Sequence, residues 1–238
     1  MPRDAAPSRG RLPALTGDAR SDRWREHRAA VRAELVEATL RAIDEFGPEL
    51  SIDDVLRTAQ VPRPKLYRFF DDKNALFAAV GERVQELILE RVVPEFDLSG
   101  AALELVRSAL GAYVGLVDER PNIFRFLLGS HFRDLQSPAE FLDTGRPLSD
   151  AAVAVVAAML RVHNTDADVQ HLEYAVDAAL GAVGLGVLRW LNEPTIDKAA
   201  LVDQLTTFVW GALSATAFAR GVVLDPDARL ADLDDVID

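Results

Sequence analysis

Apolar residues recur three and four positions apart along most of the chain, and this spacing constrains the fold more than any other feature of the sequence. A period of 3.6 residues places such residues on one face of a helix. Strand signals are scarce, and proline or glycine interrupts the pattern at helix-like intervals, as at Gly47-Pro48, Pro121 and Pro194. The sequence therefore predicts an all-α protein.

Length and composition set the broad class. The chain has 238 residues, 49% of them hydrophobic and 27% charged, enough for one large domain or two smaller ones. It contains no cysteine, which excludes disulfides, thiol nucleophiles and cysteine-based zinc sites. The segment Met1–Arg20 lacks the apolar run of a secretory signal, and the apolar stretch Gln204–Ala219 is too short to span a membrane. We expect a cytoplasmic protein with no membrane partner.

Charge is distributed unevenly although its total, −12, argues at first sight against a nucleic-acid partner. Up to Lys73 there are 14 basic and 13 acidic residues, whereas the remainder has 12 basic and 25 acidic residues. A mildly basic end and an acidic body would orient the protein on a polyanion. A basic tail without any partner would give the same counts, so charge alone leaves both interpretations open.

The apolar period also predicts where the helices lie. Near the N-terminus it predicts Arg23–Phe46, Ser51–Ala59, Arg63–Phe70 and Asn74–Arg91, with Ser51 capping the second helix and Asp71 or Asp72 the fourth. In the body it predicts Leu103–Val117, Asn122–His131, Ser149–Arg161, Asp166–Leu191 and Ile196–Arg220. The segment Asp134–Pro147 is the least regular and is predicted to be a loop or flap, and Leu224–Asp238 is predicted to be an acidic tail.

Two short helices joined by a tight turn and preceded by a longer helix are the arrangement of a helix-turn-helix module. The predicted core of this module comprises Ile52, Val55, Ala59, Val61, Leu66, Phe69 or Phe70, and Leu76. The side chains left pointing outward are Arg63, Lys65, Tyr67, Arg68 and Lys73. Four cations and a phenol on one short helix and its exit indicate a surface that contacts phosphates and bases.

The segment Ser51–Leu76 resembles the TetR family of bacterial repressors, whose pattern it matches at Ile52, Val55, Ala59, Val61, Leu66-Tyr67, Phe70, Lys73 and Leu76. The resemblance implies a three-helix DNA-binding head and a helical body that binds a ligand and dimerises. The implied domains are a flexible basic arm (1–22), the head (23–73), the body (74–222) and an acidic tail (223–238).

The resemblance also implies roles for the DNA-binding set, which comprises Ser51, Arg63, Pro64, Lys65, Tyr67, Arg68 and Lys73. Tyr67 and Lys73 would contact phosphates, and Ser51 would hold a phosphate at a helix N-terminus. Arg63, Lys65 and Arg68 would face base edges, where arginine and lysine pair with guanine.

Three residues depart from the family pattern. Gln60 stands where glycine is usual, which predicts a side chain at positive φ. Pro62 replaces the serine that caps the recognition helix, so that cap is lost. Pro64 is tolerated in a first turn but is expected to restrain Arg63 to an extended backbone. These departures change the expected base contacts without changing the fold.

In the body, the family arrangement implies a dimer interface and a ligand pocket. The interface is predicted on one stripe formed by Leu201, Leu205, Phe208, Ala212, Ala215 and Phe218, and on a second formed by Ala178, Ala182, Gly186 and Trp190. The pocket is predicted to be lined by Tyr113, Phe124, Leu127, Leu128, His131, Phe132 and Met159. Because those helices carry few charges, we expect a small, uncharged or long apolar effector such as a lipid or fatty acyl compound.

The function indicated is a ligand-responsive repressor that binds a pseudo-palindromic operator as a homodimer. No catalytic constellation, cofactor motif or metal site is predicted, since His131, His163 and His171 do not have the spacing of a compact ligand set. The main alternative is a helical protein that binds a lipid-like small molecule without binding DNA. An enzyme acting on small apolar substrates is a more distant alternative.

Overall fold

The computed structural model describes residues 19–95, 100–134, 138–164 and 167–229, with the side chains of these residues except 19–22, 128, 130–145, 162 and 163. Over these ranges the secondary structure is helical and has no strands, apart from one isolated antiparallel bridge between Ala101 and Arg229. The predicted all-α fold is confirmed. The helices are α1 Ala19–Phe46, α2 Ile52–Ala59, α3 Arg63–Leu66, α4 Lys73–Val92, α5 Ala102–Glu119, α6 Pro121–Asp134, α7 Pro138–His163, α8 Leu172–Asn192 and α9 Lys198–Phe218.

The head is built on the second half of α1, which packs against α2 and α4. Leu40, Ala42 and Ile43 have no exposed surface, whereas residues 23–30 are exposed. The helix ends at Gly47, which has φ +89° and donates its N–H to the Ile43 carbonyl at 2.9 Å, as the sequence predicts. Of the predicted flexible arm 1–22, residues 1–18 lie outside the described residues. Residues 19–22 belong to α1.

Helix α4 connects the head to the body. Asp72 is its N-cap, and its carboxylate accepts a hydrogen bond from the Ala75 N–H at 2.8 Å. Leu76 and Val80 near its start are fully buried, and Ile88 near its end is also buried. Twenty residues at 1.5 Å each make this helix about 30 Å long.

The body is a bundle in which α5 packs against α4 and α9, α7 against α8 and α4, and α8 against α9. Helix α6 lies between α1 and α8, and its buried Phe126 meets Phe77 of α4 edge to face, with ring centroids 4.8 Å apart. By length and composition alone α8 is apolar enough to cross a membrane, a test that the core helices of soluble proteins also pass.

The structure contradicts the predicted loop at Asp134–Pro147, because residues from Pro138 onward already belong to α7. Two prolines misled the prediction. Pro138 is the first residue of the helix, where a missing N–H costs nothing, and Pro147 lies inside it. An interior proline removes one backbone hydrogen bond. The helix continues through it to Met159 and Leu160, which are almost fully buried.

The predicted acidic tail from residue 223 is also wrong for its first part. The N–H of Ala102 donates to the Ala228 carbonyl at 2.9 Å, and the N–H of Leu103 donates to the Pro226 carbonyl at 3.1 Å. These carbonyls satisfy free N–H groups in the first turn of α5, whose N-cap Ala101 has no side chain to do so. Residues up to Arg229 are therefore packed on the body, and the rest of the predicted tail lies outside the described residues.

Candidate DNA-binding surface and ligand cavity

The turn between α2 and α3 has the backbone that the sequence predicts. Gln60 adopts the left-handed conformation, with φ 54° and ψ 41°, and its N–H donates to the Arg57 carbonyl at 3.3 Å. Pro62 follows in extended backbone and provides no side-chain cap for α3. The two short helices are therefore joined by a tight turn in which a glutamine holds the position that favours glycine.

Helix α3 is shorter than predicted. Regular helix ends at Leu66 rather than Phe70, and single turns follow, with the N–H of Phe69 donating to the Leu66 carbonyl at 3.0 Å. The expected extended backbone at Arg63 is wrong, because Arg63 is the first residue of the helix and the extended residue is Pro62. The helical backbone before Pro64 is supported by the Arg63 carbonyl, which accepts the Tyr67 N–H at 3.3 Å.

Two buried side chains orient this segment. Leu66 and Phe70 are almost fully buried in the head, together with Val55 and Leu76. The residues around these anchors lie on the surface. The exposed side chains are those of Pro62, Arg63, Pro64, Lys65, Tyr67, Arg68, Asp71, Asp72 and Lys73. The predicted DNA-binding residues of α3 and its exit are thus presented to solvent on one short stretch of chain.

Arg63 has an acidic partner. Its guanidinium donates to the Asp53 carboxylate at 2.7 Å, which joins the start of α3 to the first turn of α2. This hydrogen bond raises the pKa of Arg63 above its usual range. The pair is exposed, so it orients the guanidinium more than it stabilises the fold.

Ser51 is occupied by a capping box. Its hydroxyl accepts from the Asp54 N–H at 3.3 Å and donates to the Asp54 carboxylate at 2.7 Å, and this carboxylate also accepts the Ser51 N–H at 2.9 Å. The hydrogen bonds from Ser51 hold the pKa of the Asp54 carboxyl below its usual value. A phosphate approaching the Ser51 hydroxyl would therefore meet a carboxylate already bound to it.

The exposed start of α1 touches the exit of α3. The guanidinium of Arg28 donates to the Arg68 carbonyl at 3.4 Å and lies over the rings of Trp24 and Phe69, at 5.7 and 5.8 Å from their centroids. The exposed part of α1 and the exit of α3 are thus in contact. At the start of α4, the ammonium of Lys73 lies 4.9 Å from the Phe77 ring centroid.

The body contains a partly open cavity of about 490 Å³ between α4, α5, α7, α8 and α9. Its lining among the described residues is aliphatic except for Tyr113, Met159 and Thr216, and none of it is charged. The aliphatic side chains include Ile88, Leu89 and Val92 of α4, Leu105, Val106 and Leu110 of α5, Val155 and Val156 of α7, Val176 and Leu180 of α8, and Val209 and Leu213 of α9. Such a site favours an apolar ligand.

The predicted pocket residues are only partly brought together. Tyr113 and Met159 line the cavity. Phe124 and Leu127 do not, because Phe124 is buried edge to face against Tyr113, with centroids 5.9 Å apart, and Leu127 packs on the main core. The side chains of Leu128, His131 and Phe132 lie outside the described residues. The sequence analysis did not place α4 in the pocket, because its periodic apolar residues are equally expected for a helix packed in the core.

Tyr113 is the cavity's most distinctive polar group. Its hydroxyl has no hydrogen-bond partner among the described residues, and burial raises its pKa to about 12. The edge-to-face contact with Phe124 fixes the orientation of its ring.

Head and body are joined at a second place besides α4. Arg120, just before α6, donates to the Asp44 carboxylate of α1 at 3.1 and 2.5 Å, and the Asn122 side chain donates to the Asp44 carbonyl at 3.2 Å. On α4 itself, Arg83 reaches Glu37 of α1 at 2.8 Å. A shift of α4 or α6 would therefore displace α1 through these contacts.

Large apolar side chains are exposed on α8 and α9, beside charged ones such as Asp177 and Arg189. Tyr174, Leu185, Phe208 and Phe218 are exposed by 73, 62, 50 and 75%, with small residues between them. The predicted interface stripes are partly wrong, because Leu201 and Leu205 are buried within the protomer. Gly186 belongs to the same internal packing, since a Cβ there would lie 3.3 Å from Leu205.

No group of three or more metal-binding side chains lies close together within the part of the chain that the structure describes.

A cation-bearing short helix held on a three-helix head, with a helical body behind it, defines a helix-turn-helix regulator of transcription. Residues 35–80 match the family model described as bacterial regulatory proteins, tetR family. Residues 103–212 match the model described as tetracyclin repressor-like, C-terminal domain. The chain belongs to the TetR family of transcriptional regulators.

Known relatives agree with this assignment. An uncharacterized HTH-type transcriptional regulator of Mycobacterium tuberculosis, Rv0472c, is 29% identical over 214 residues, which are 89% of this chain and 90% of the relative. A tetR-family regulator from Streptomyces coelicolor has a similar structure, with a TM-score of 0.60, 23% identity and coverage of 87% of this chain and 98% of that one. FadR from Bacillus subtilis in complex with stearoyl-CoA has a TM-score of 0.59 at 14% identity, covering 74 and 96% of the two chains.

Proposed function

We propose that this protein is a cytoplasmic, ligand-responsive transcriptional repressor that binds a pseudo-palindromic operator as a homodimer and is released by a small apolar compound. The observation that carries the proposal is the path of α4. Its start holds Lys73 beside the cation-bearing α3, and its last turns contribute Ile88, Leu89 and Val92 to the apolar cavity.

On DNA, α3 enters the major groove, with Arg63, Lys65 and Arg68 toward base edges and Tyr67 and Lys73 on phosphates. Pro64 is exposed in the first turn of α3 and has no N–H to donate. Ser51 reaches a phosphate only after its hydroxyl releases Asp54, so we expect its contribution to be small.

Dimerisation uses the outward faces of α8 and α9. A large exposed apolar patch marks an association site, and Phe208 and Phe218 are its most prominent side chains on α9. Pairing these faces around a two-fold axis would present two α3 helices to successive major grooves, about 34–36 Å apart.

The effector acts through α4. A ligand that occupies the cavity contacts the last turns of this helix, and a tilt of the helix moves Lys73 and the head packed on Leu76 and Val80. Ligand binding thus favours a spacing of the two heads that does not fit the operator. The fold shared with FadR, which is described in complex with stearoyl-CoA, supports a lipid-like effector.

Fluorescence anisotropy with duplexes from upstream of the protein's own gene tests the proposal at two salt concentrations. We expect saturable, salt-sensitive binding that Arg68→Ala weakens. Arg161→Ala, which removes an exposed charge from α7, is the matched control and should bind as the wild type does. Binding no stronger than to random duplex would contradict the proposal.

The second candidate is a helical lipid-binding protein that does not bind DNA. It is favoured by the absence of a side-chain cap on α3 and by the pairing of Arg63 with Asp53. In the same titration it predicts no specific DNA binding, while the cavity would still bind apolar compounds.

A further inference from the structure

The cavity combines an aliphatic wall with two hydroxyl groups among its described lining residues, those of Tyr113 and Thr216. Tyr113 is partly buried, and no hydrogen bond of its hydroxyl is found within the described residues. A donor left without a protein partner in the wall of a ligand cavity is a group that a ligand can satisfy.

The Tyr113 hydroxyl is a donor throughout the physiological pH range. Burial raises its pKa to about 12, so the phenol stays protonated and neutral at pH 7. Its ring is held edge to face by Phe124, so the hydroxyl is presented in a fixed place rather than on a mobile side chain. The site therefore offers one directed, uncharged donor.

The same surroundings disfavour a charged ligand group. None of the described lining residues is a lysine, arginine or histidine that could pair with an anion. A carboxylate placed beside Tyr113 would lose its hydration and gain a single neutral hydrogen bond, which does not offset the burial of a charge.

We propose that Tyr113 is the polar anchor of the effector site, and that the effector is a neutral lipid-like molecule whose ester, ketone or alcohol oxygen accepts a hydrogen bond from the Tyr113 hydroxyl. This inference rests on the proposed function, in which the cavity binds an apolar effector. It adds the uncharged oxygen as the feature by which the site distinguishes one apolar compound from another.

Calorimetric titration of the full-length protein with dodecanol, methyl dodecanoate and dodecanoate at pH 8 tests the inference. We expect the alcohol and the ester to bind and dodecanoate to bind at least about tenfold more weakly, because its charge would be buried without a partner. Tyr113→Phe removes only the hydroxyl, and it should weaken binding of the alcohol and the ester about three- to tenfold, the range of one neutral hydrogen bond.

Two further variants separate the outcomes. Thr207→Val removes a hydroxyl from the exposed surface of α9, outside the described cavity lining, and should leave the affinities unchanged. Ala179→Phe fills the cavity and should abolish binding. Equal binding of dodecanoate, or unchanged affinity in Tyr113→Phe, would overturn the inference while leaving the effector cavity in place. Absence of binding by all three compounds, or binding that Ala179→Phe does not change, would instead contradict the proposed effector site itself.

Discussion

The exposed ion pair between Arg63 and Asp53 leads to a prediction about DNA affinity. The pair joins α3 to α2 at 2.7 Å, and its side chains are 52 and 71% exposed. An exposed pair of this kind contributes little to stability, and Arg63 must give it up to reach a base or a phosphate. In the proposed DNA complex the Asp53 carboxylate, paired with Arg63 of α3, would lie near the phosphates and repel them.

Asp53→Asn removes both effects, so we expect DNA affinity to rise about two- to tenfold. The increase should appear on operator and on random duplex alike, because the lost repulsion does not depend on sequence. The dependence of log affinity on log salt should steepen by about one, since one more cation is free to neutralise a phosphate. Anisotropy titrations at four salt concentrations measure both quantities.

Asp150→Asn makes the same change of charge on the exposed surface of α7 and is the matched control, which should bind DNA as the wild type does. If Asp53→Asn weakened binding to the operator but not to random duplex, the reasoning would be wrong. Asp53 would then serve to orient Arg63 for base recognition rather than to compete with DNA for it.

Three further predictions concern stability, assembly and coupling. Gln60→Gly removes the steric strain of a side chain in the left-handed conformation, so the free energy of unfolding should rise by about 0.5–1 kcal/mol in denaturant titrations. Gln60→Ala keeps a Cβ at this position and should give no such increase. Phe208→Glu places a charge on the exposed face of α9 and should give a monomer in analytical ultracentrifugation, and a dimer would show that this face is not the interface. Arg120→Ala breaks the contact with Asp44. It should reduce the effect of the effector on DNA affinity by about 0.5–2 kcal/mol without changing the affinity for the effector. If the effect of the effector on DNA affinity were unaltered, transmission would be assigned to α4 alone.

Sequence periodicity predicted the helices well where local signals and packing agree. In the head, Gly47, Ser51 and Asp72 are found in the end positions that their chemistry favours. In the body, Pro147 was interpreted as a break because its local preference opposes a helix. The packing of the flanking apolar residues, which no local signal reports, keeps α7 continuous through it.

The two sites differed in how far the sequence could predict them. The DNA-binding surface is contiguous in the chain, so the burial of Leu66 and Phe70 fixes which neighbouring side chains are exposed. The cavity is assembled from five helices far apart in sequence, and an aliphatic residue in its wall has the same pattern as one in the core. The ion pair of Arg63 with Asp53 was missed because a separation of ten residues across a turn has no periodic signature.

The arrangement of these two sites supports the proposed response to a ligand. The cavity wall and the head share α4, and Arg120, between α5 and α6, pairs with Asp44 of α1 in the head. Helix α1 packs against both α4 and α6. A ligand that moves α4 relative to α6 would therefore also move α1 and the helix α2 packed on it. Under the proposed function, binding energy would reach α3 through packed helices and two ion pairs, Arg120 with Asp44 and Arg83 with Glu37. Loosening either contact should weaken regulation before it weakens DNA binding or ligand binding separately.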